Sequence, residues 1–440
     1  MYLLYSMVLA AGLVAMTPWL LLRNGPDGRY TRFWPERFGR APAAAGAIWL
    51  HAVSVGEALA VERLIAQLRQ RFPGVPVVLS VTTATGRAVA LRRIGADHIF
   101  YFPLDFRFAA RRALARVRPR LVLIAETEIW PNFLREAERC GVPVLFLNGR
   151  ISGRSFARYR LVRPLLRPTL QRADSFLMQT PLDRDRILQL GAQPERVQVM
   201  GNLKFDLVVP ALPAYLGQLR ARLAEAGDPP LLAAGSTMEG EEAILLAAFE
   251  ALLRAGGVAA TPPVLLLAPR HPQRFEAVAA LVAARGLPLT RRSRLSKERL
   301  TAGGVVLLDS LGELASTYQA AAVTFIGGSL VPSGGHNLLE AAYWGVPVLV
   351  GPHTENFALI TEQFVAAGAA RVVGSGIELT RVWLELLADA GGRERMGGTA
   401  RALLASQRGA TERALDAIAA ALGPAGAGAA ATMEADARSH

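Results

Sequence analysis

Cysteine is close to absent: Cys140 is the sole thiol in 440 residues. An intramolecular disulfide framework and any multi-cysteine zinc or iron–sulfur centre are thereby excluded, and a reducing compartment fits. The six histidines are scattered without metal-ligand spacing, so no metal is expected. Lysine is nearly missing, with Lys204 and Lys297 standing against 47 arginines. Aromatic residues make up 7%, too few for the stacking platforms of a single-strand binder, and no nucleic-acid partner is expected. Neither a P-loop GxxxxGKS/T, nor GxSxG, nor HExxH occurs, which removes the common nucleotide-hydrolysing, serine-hydrolase and zinc-protease signatures. The one Asp-x-Asp, Asp183 to Asp185, lies in the helical pattern PLDRDRILQL and reads as solvated helix surface rather than a metal site.

Acid is scarce in one half only. Residues 1–205 hold 30 basic against 14 acidic side chains, and the remainder 19 against 22. A field so lopsided attracts polyanions: nucleic acid, anionic lipid or a phosphorylated substrate. Charge is missing altogether from Tyr2 to Leu22. As a helix that run is about 31 Å long, against a hydrocarbon core of ~30 Å. Arg23, Arg29, Arg32, Arg37 and Arg40 follow it. Basic flanks stay cytoplasmic, so a single N-terminal anchor with the body on the cytoplasmic side is expected. The run either spans the bilayer, lies in its surface, or docks as a helix on the protein itself. A cleaved signal peptide is disfavoured, because no basic segment precedes the apolar run.

What is abundant is apolar: 52% of the chain, enough for large cores. Short apolar runs alternate with amphipathic stretches. Strands are expected at Ala47–Val53, Pro76–Val81, His98–Phe102, Leu121–Ala125, Pro143–Leu147, Ser175–Gln179 and Val197–Met200. After a linker bracketed by Pro210 and Pro213 they resume at Leu231–Ala234, Val264–Ala268, Val305–Leu308, Ala322–Ile326 and Pro347–Val350. Runs that are continuous rather than alternating mean sheets covered on both faces, hence parallel sheets of an α/β fold. The expected layout is an anchor (1–23), a first domain (24–208), a second (214–422) and a disordered Gly/Ala-rich tail (423–440), with a ligand cleft between the domains.

Candidate chemistry sits after the strands. His51-Ala52-Val53-Ser54-Val55-Gly56-Glu57 leaves the first strand and opens a helix. Gly56 permits close backbone approach, and Glu57 fits a helix-capping residue and a general base equally. Glu126-Thr127-Glu128-Ile129-Trp130-Pro131-Asn132 sets two carboxylates at a strand end, where mutual repulsion raises one pKa. Lys204, in GNLKFD, keeps a compact ammonium in an arginine-rich chain, as an anionic group wants. Asn148 to Arg172 carries seven arginines, Arg150 and Arg154 among them, interleaved with apolar residues, and suits anionic lipid or phosphate.

Three loops in the second half describe a nucleotide site when taken together. They are Gly235-Ser236-Thr237 with Glu239, Glu241 and Glu242 just after, Pro269-Arg270-His271-Pro272, and Gly327-Gly328-Ser329 running into Gly334-Gly335-His336-Asn337-Leu338-Leu339-Glu340. Glycines before a helix offer N–H groups to phosphate. Glu340, about one turn into that helix, is placed to take a ribose diol.

The ordered motifs HAVSVGE, ETEIWPN, NGRIS, GNLKFD, PRHP and GGSLVPSGGHNLLEAA resemble the bacterial 3-deoxy-D-manno-octulosonic acid (Kdo) transferases that act on lipid A precursors. The likeness runs from the N-terminal segment to about Arg408 and implies a GT-B enzyme: two Rossmann-like domains, bound at the inner membrane and facing the cytoplasm. It implies CMP-Kdo as donor, lipid IVA as acceptor, inversion at the anomeric centre, no metal in the site and no cofactor. By the same resemblance Glu57 is the general base. One acid of Glu126 and Glu128, together with Lys204, stabilises the transition state. Ser236, Pro269, Arg270, His271, Leu311, Gly312, Glu313, Gly335, Asn337, Leu338, Leu339 and Glu340 hold CMP-Kdo. Ser54, Gly56, Arg150 and Arg154 face the acceptor.

Overall fold

A computed structural model describes residues 2–22, 33–207, 212–256 and 260–423. Arg23, Arg29, Arg32 and the tail beyond Gly423 lie outside the described residues. The chain divides into two compact units, residues 1–206 with 408–440, and residues 207–407.

The first unit is built on seven strands: β1 Ile48–Ala52, β2 Val77–Val81, β3 His98–Tyr101, β4 Leu121–Ala125, β5 Val144–Gly149, β6 Ser175–Met178 and β7 Val197–Val199. They form one sheet in the order β3-β2-β1-β4-β5-β6-β7, every pair parallel. Successive residues of a strand face opposite ways. Trp49, Val122, Ile124 and Phe146 fill the core on one face, and Ile48, Leu50, Leu121, Leu123 and Leu145 the core on the other. Both faces are dry, which is why these strands read as unbroken apolar runs.

The second unit repeats the plan. Its strands are β8 Leu231–Thr237, β9 Val264–Pro269, β10 Leu289–Arg291, β11 Val305–Leu307, β12 Val323–Ile326, β13 Val348–Val350 and β14 Ala370–Val372. The order is β10-β11-β9-β8-β12-β13-β14, again all parallel. Strands β10 and β14 escape a reading of apolar runs. They are three-residue edge strands with one buried residue each, so they carry no run.

The chain order of the second domain needs a correction. Its expected span of 214–422 includes the helix Ala410–Leu422, which belongs to the first unit. Ala410, Ala414, Leu415 and Ile418 recur at helical spacing and enter that unit's core. Asp206 fixes the entry from a distance. Its Oδ1 accepts the Gly409 N–H at 2.7 Å and its Oδ2 the Thr411 N–H at 2.5 Å, capping donors that the helix itself leaves unpaired.

The uncharged segment forms the helix Tyr2–Leu22. Among the described residues no helix is long and apolar enough to cross a membrane. The first two turns of this helix hold to the first unit by polar contacts. Arg172 donates to the Tyr2 hydroxyl at 3.1 Å, and Asn132 donates to Ser6 Oγ at 3.0 Å. Tyr5 donates to Asp105. Leu4, Met7, Val8, Val14, Met16 and Trp19 remain exposed.

Candidate active site

Strand order in the first sheet reverses between β1 and β4, and a parallel sheet opens its ligand crevice beyond the carboxyl ends at such a point. The loops after these two strands carry the three candidate acids. Ser54 caps the helix Val55–Arg71. Its hydroxyl donates to Glu57 Oε1 at 2.9 Å, and the Val53 N–H donates to Glu57 Oε2 at 2.8 Å. Glu57 is therefore a capping-box residue in geometry. Each carboxylate oxygen keeps a second lone pair, so the cap orients the group and leaves it able to accept another hydrogen bond. After β4, Glu126 adopts φ +57°, a left-handed conformation that costs a β-carbon residue about 1 kcal/mol or more and clusters at functional sites.

Burial and the neighbouring Glu57 raise the Glu126 pKa, while Arg150 and Lys204 pull it down. Burial, with Glu57 and Glu126 adding to it, pushes the Glu128 carboxyl up to about 7. Burial lowers the Lys204 pKa and Arg150 adds to the lowering; Glu126 and Glu57 oppose it. Three carboxyls and two cations from the ends of β1, β4, β5 and the segment after β7 thus share one electrostatic site. Residues far apart in sequence meet here because β1, β4 and β5 are consecutive in the sheet, with β6 and β7 following beside them.

The cations are placed by a buried polar network. Thr127 Oγ1 donates to the Arg150 carbonyl at 2.8 Å and accepts the Arg150 N–H at 2.9 Å. Asn148, at φ +55°, accepts the Leu203 N–H on Oδ1 at 3.0 Å, and Gln179 donates to its carbonyl at 2.9 Å. Asn202 donates to Gln179 Oε1 at 3.1 Å and accepts the Lys204 N–H at 3.0 Å. Gly149 is required by space: a Cβ there would lie 2.6 Å from Met178 Sδ. Sequence reasoning gave no role to Thr127, Gln179 and Asn202, whose only signal is a polar residue within three positions of a strand end.

Asp183 departs from expectation. It is 3% exposed, with Oδ1 accepting the Ile151 N–H at 2.8 Å and Oδ2 the Thr180 hydroxyl at 2.5 Å. It holds the NGRIS loop rather than facing solvent. Arg154 is exposed on the helix Gly153–Leu161. Gly56 is exposed too, and no backbone packs on it.

In the second sheet the order reverses between β8 and β12. Ser236, at the end of β8, has φ +55°. Pro269 is buried at the end of β9, while Arg270 and His271 are exposed. The Arg270 N–H donates to the Thr237 carbonyl at 2.9 Å. His336 lies near both: burial, Arg270 and His271 lower its pKa to about 4. Leu311 is exposed, and Gly312 turns at φ +83°. Glu313 pairs with Arg292 at 2.5 and 2.7 Å and accepts the Ser310 hydroxyl. Leu338 and Leu339 point into the core, leaving only their main chain for a ligand.

Two expectations for this unit are corrected. The N–H groups of Gly328 and Ser329 are not open to phosphate, because the Glu241 carboxylate takes them at 2.6 and 2.8 Å. The Gly335 N–H donates to the Gly328 carbonyl at 2.8 Å. The helix after this loop begins at Leu339, so Glu340 stands in its first turn rather than a turn inside it. There Asn337 donates to Glu340 Oε1 at 3.2 Å and accepts the Leu339 N–H at 3.1 Å.

Residues 32–207 match the family model described as 3-deoxy-D-manno-octulosonic-acid transferase (kdotransferase). The chain is 41% identical over 421 residues to the 3-deoxy-D-manno-octulosonic acid transferase of Bordetella pertussis, covering 93% of this chain and 96% of that one. It is 35% identical over 400 residues to the enzyme of the same name from Haemophilus influenzae, covering 88% and 91%. Among solved structures it is similar to a putative UDP-N-acetylglucosamine 2-epimerase from Listeria monocytogenes. There the TM-score is 0.51 at 18% identity, over 86% of this chain and 96% of that one. At that identity the likeness speaks to fold alone.

Proposed function

The chain belongs to the 3-deoxy-D-manno-octulosonic acid transferase family of glycosyltransferases, and from that premise we propose that it moves Kdo from CMP-Kdo onto lipid IVA with inversion at the anomeric carbon. The single observation that carries the reading is the five-group cluster of Glu57, Glu126, Glu128, Arg150 and Lys204 at the strand ends of the first unit.

In this mechanism Glu57 accepts the proton of an acceptor hydroxyl as that oxygen bonds to the anomeric carbon of Kdo. The bond from that carbon to the CMP phosphate oxygen breaks, and CMP leaves with the electron pair. Ser54 and the Val53 N–H hold the Glu57 carboxylate in one orientation throughout. Glu126 and Lys204 meet the charge that develops on the reacting sugar, fixed before the reaction and so without reorganisation cost. Ser54, Gly56, Arg150 and Arg154 face the phosphorylated acceptor. In the second unit Arg270, with His271 beside it, stabilises the departing phosphate. The main chain from Gly335 to Leu339 and the side chains of Asn337, Glu340 and Ser236 take the nucleotide, along with Pro269 and the Leu311-Gly312-Glu313 turn. No metal or cofactor is invoked.

The acceptor is a membrane lipid, and the chain is placed at the cytoplasmic face of the inner membrane. Supporting this are the exposed apolar face of the helix Tyr2–Leu22 and the exposed Leu161 and Val162. Leu161 ends the helix Gly153–Leu161 and Val162 joins it to the helix Arg163–Leu170, amid Arg158, Arg160, Arg163 and Arg167. Apolar side chains set among arginines suit an anionic lipid surface.

Mass spectrometry of lipid IVA incubated with the full chain and CMP-Kdo tests the activity and counts the sugars added. The expected product is lipid IVA carrying Kdo, with release of CMP. Unchanged lipid IVA, with no CMP released, overturns the reading. A sugar-nucleotide enzyme using UDP shares this fold, and a thermal shift separates the two: CMP, not UDP, raises the melting temperature.

A further inference from the structure

Glu241 opens the helix Glu241–Ala255 and is fully buried. Its carboxylate accepts four main-chain N–H groups. Oε2 takes Met238 at 3.0 Å and Gly328 at 2.6 Å; Oε1 takes Ser329 at 2.8 Å and Leu330 at 2.8 Å. Met238 follows β8 and the other three follow β12, the two strands between which sheet order reverses. A concave nest of N–H groups at such a place normally binds an external anion. Here the chain supplies the anion itself, and the glycine turn becomes a fixed part.

That turn bears directly on the main chain from Gly335 to Leu339 assigned to the donor. A Cβ on Gly328 would lie 2.9 Å from the His336 ring, so the ring packs on the bare glycine. The Gly328 carbonyl holds the Gly335 N–H at 2.8 Å. Ser329, also fully buried, accepts the Gly351 N–H on Oγ at 2.7 Å and the His353 N–H on its carbonyl at 2.9 Å. One carboxylate therefore ties together the loops after β8, β12 and β13. The adjacent Glu242 acts on another strand end. It accepts the Thr237 hydroxyl at 3.1 Å and pairs with Arg274 at 3.1 Å, while the Thr237 carbonyl holds the Arg270 N–H.

We propose that Glu241 is a positioning residue of the donor site: its buried carboxylate is a built-in anion that sets the Gly327–Leu330 turn and, through it, Gly335 and His336 for the nucleotide sugar. The inference rests on the reading that the second unit binds CMP-Kdo.

Glu241→Gln in the full chain tests it. The amide keeps the shape but turns an N–H₂ toward N–H donors, so part of the nest loses its acceptor. The expected result is a KM for CMP-Kdo and a Kd for CMP, by calorimetry, raised about tenfold or more. At saturating donor, kcat and the acceptor KM stay within about twofold of the parent. A purely structural role would lower the active fraction and leave the donor KM alone, and that result overturns the proposal. If Glu241→Gln gives no cooperative melt, Gly328→Ala takes its place. It leaves the carboxylate intact and drives a methyl into His336, and the same donor-only defect is expected; an unchanged donor KM overturns the proposal. Failure of the parent enzyme to bind CMP sinks the donor reading instead, and this role with it.

Discussion

Both units present the carboxyl ends of parallel strands at a point where sheet order reverses, and they treat charge there in opposite ways. In the first unit, Glu57, Glu126 and Glu128 crowd one another, with Arg150 and Lys204 alongside, and burial shifts the pKa of Glu126, Glu128 and Lys204. In the second, the buried acids Glu241 and Glu242 are saturated by N–H, hydroxyl and guanidinium donors. One edge stores electrostatic tension, as a site that moves protons and stabilises charge must. The other uses charge to make its loops rigid, as a site that grips a ligand must. The same topology thus carries two different arrangements of charge, one for each role proposed above.

The largest expected effect breaks this division most cleanly. Glu57→Gln removes the proton acceptor and leaves the second unit untouched. Transfer falls by about 10²–10⁴-fold, while the stabilisation that CMP gives in a thermal shift is unchanged. Turnover near that of the parent removes Glu57 as base and makes it a cap alone. Loss of the CMP shift would mean that the division of labour is wrong.

A smaller effect, in stability, probes the tension itself. The Glu128 carboxyl stands at about 7 in the folded chain against an ordinary 4.5. A raised folded value means that the folded state holds the extra proton more tightly. Its stabilising contribution is complete below pH 4.5 and is lost as pH rises through 7. Glu128→Gln cannot ionise, so it escapes that loss. At pH 8 the variant should be more stable than the parent by about 1–3 kcal/mol, and the gain should vanish near pH 4.5. Denaturant melts at the two pH values measure it. A variant less stable at pH 8 would show that burial and the adjacent acids do not strain the Glu128 carboxylate. No such gain is expected from Glu242→Gln in the second unit, where the charge is paired.

Much of this was legible in the chain, for a physical reason. Strands buried on both faces announce themselves as apolar runs, and parallel topology sends the residue after each run to the same edge. Glu57 and Glu126 could therefore be picked out as residues following strands without knowing which strands are neighbours, and Lys204 as one of two lysines in an arginine-rich chain. What stayed hidden depended on partners distant in sequence. Asp183 looks like a surface acid until the Ile151 N–H is found on it. Glu241 looks like a first-turn acid favoured by the helix dipole, and only the return of β12 beside β8 shows what fills its oxygens. The last helix was credited to the wrong unit because its apolar stripe fits any core, and the deciding contact is the remote cap from Asp206.

The contrast also extends to the outer surface, where the expected effect is smallest. Leu161 is 83% exposed and sits among arginines, whereas Ile377 of the second unit is 86% exposed in an α-helix with a mixed charge pattern. If apolar insertion and arginine attraction act together on a lipid surface, exposure alone is not enough. Replacing Leu161 and Val162 by Asp removes inserted area and adds negative charge to the arginine field. Partition of the full chain onto vesicles containing anionic lipid should weaken about tenfold. Ile377→Asp, with the same loss of an exposed apolar residue but no arginine field around it, should leave partition unchanged. Co-sedimentation at two salt concentrations reads both, and the gap between the variants should narrow as salt screens the arginines. Equal losses would mean that the membrane meets both units alike, and the asymmetry of charge would then belong to the acceptor site alone.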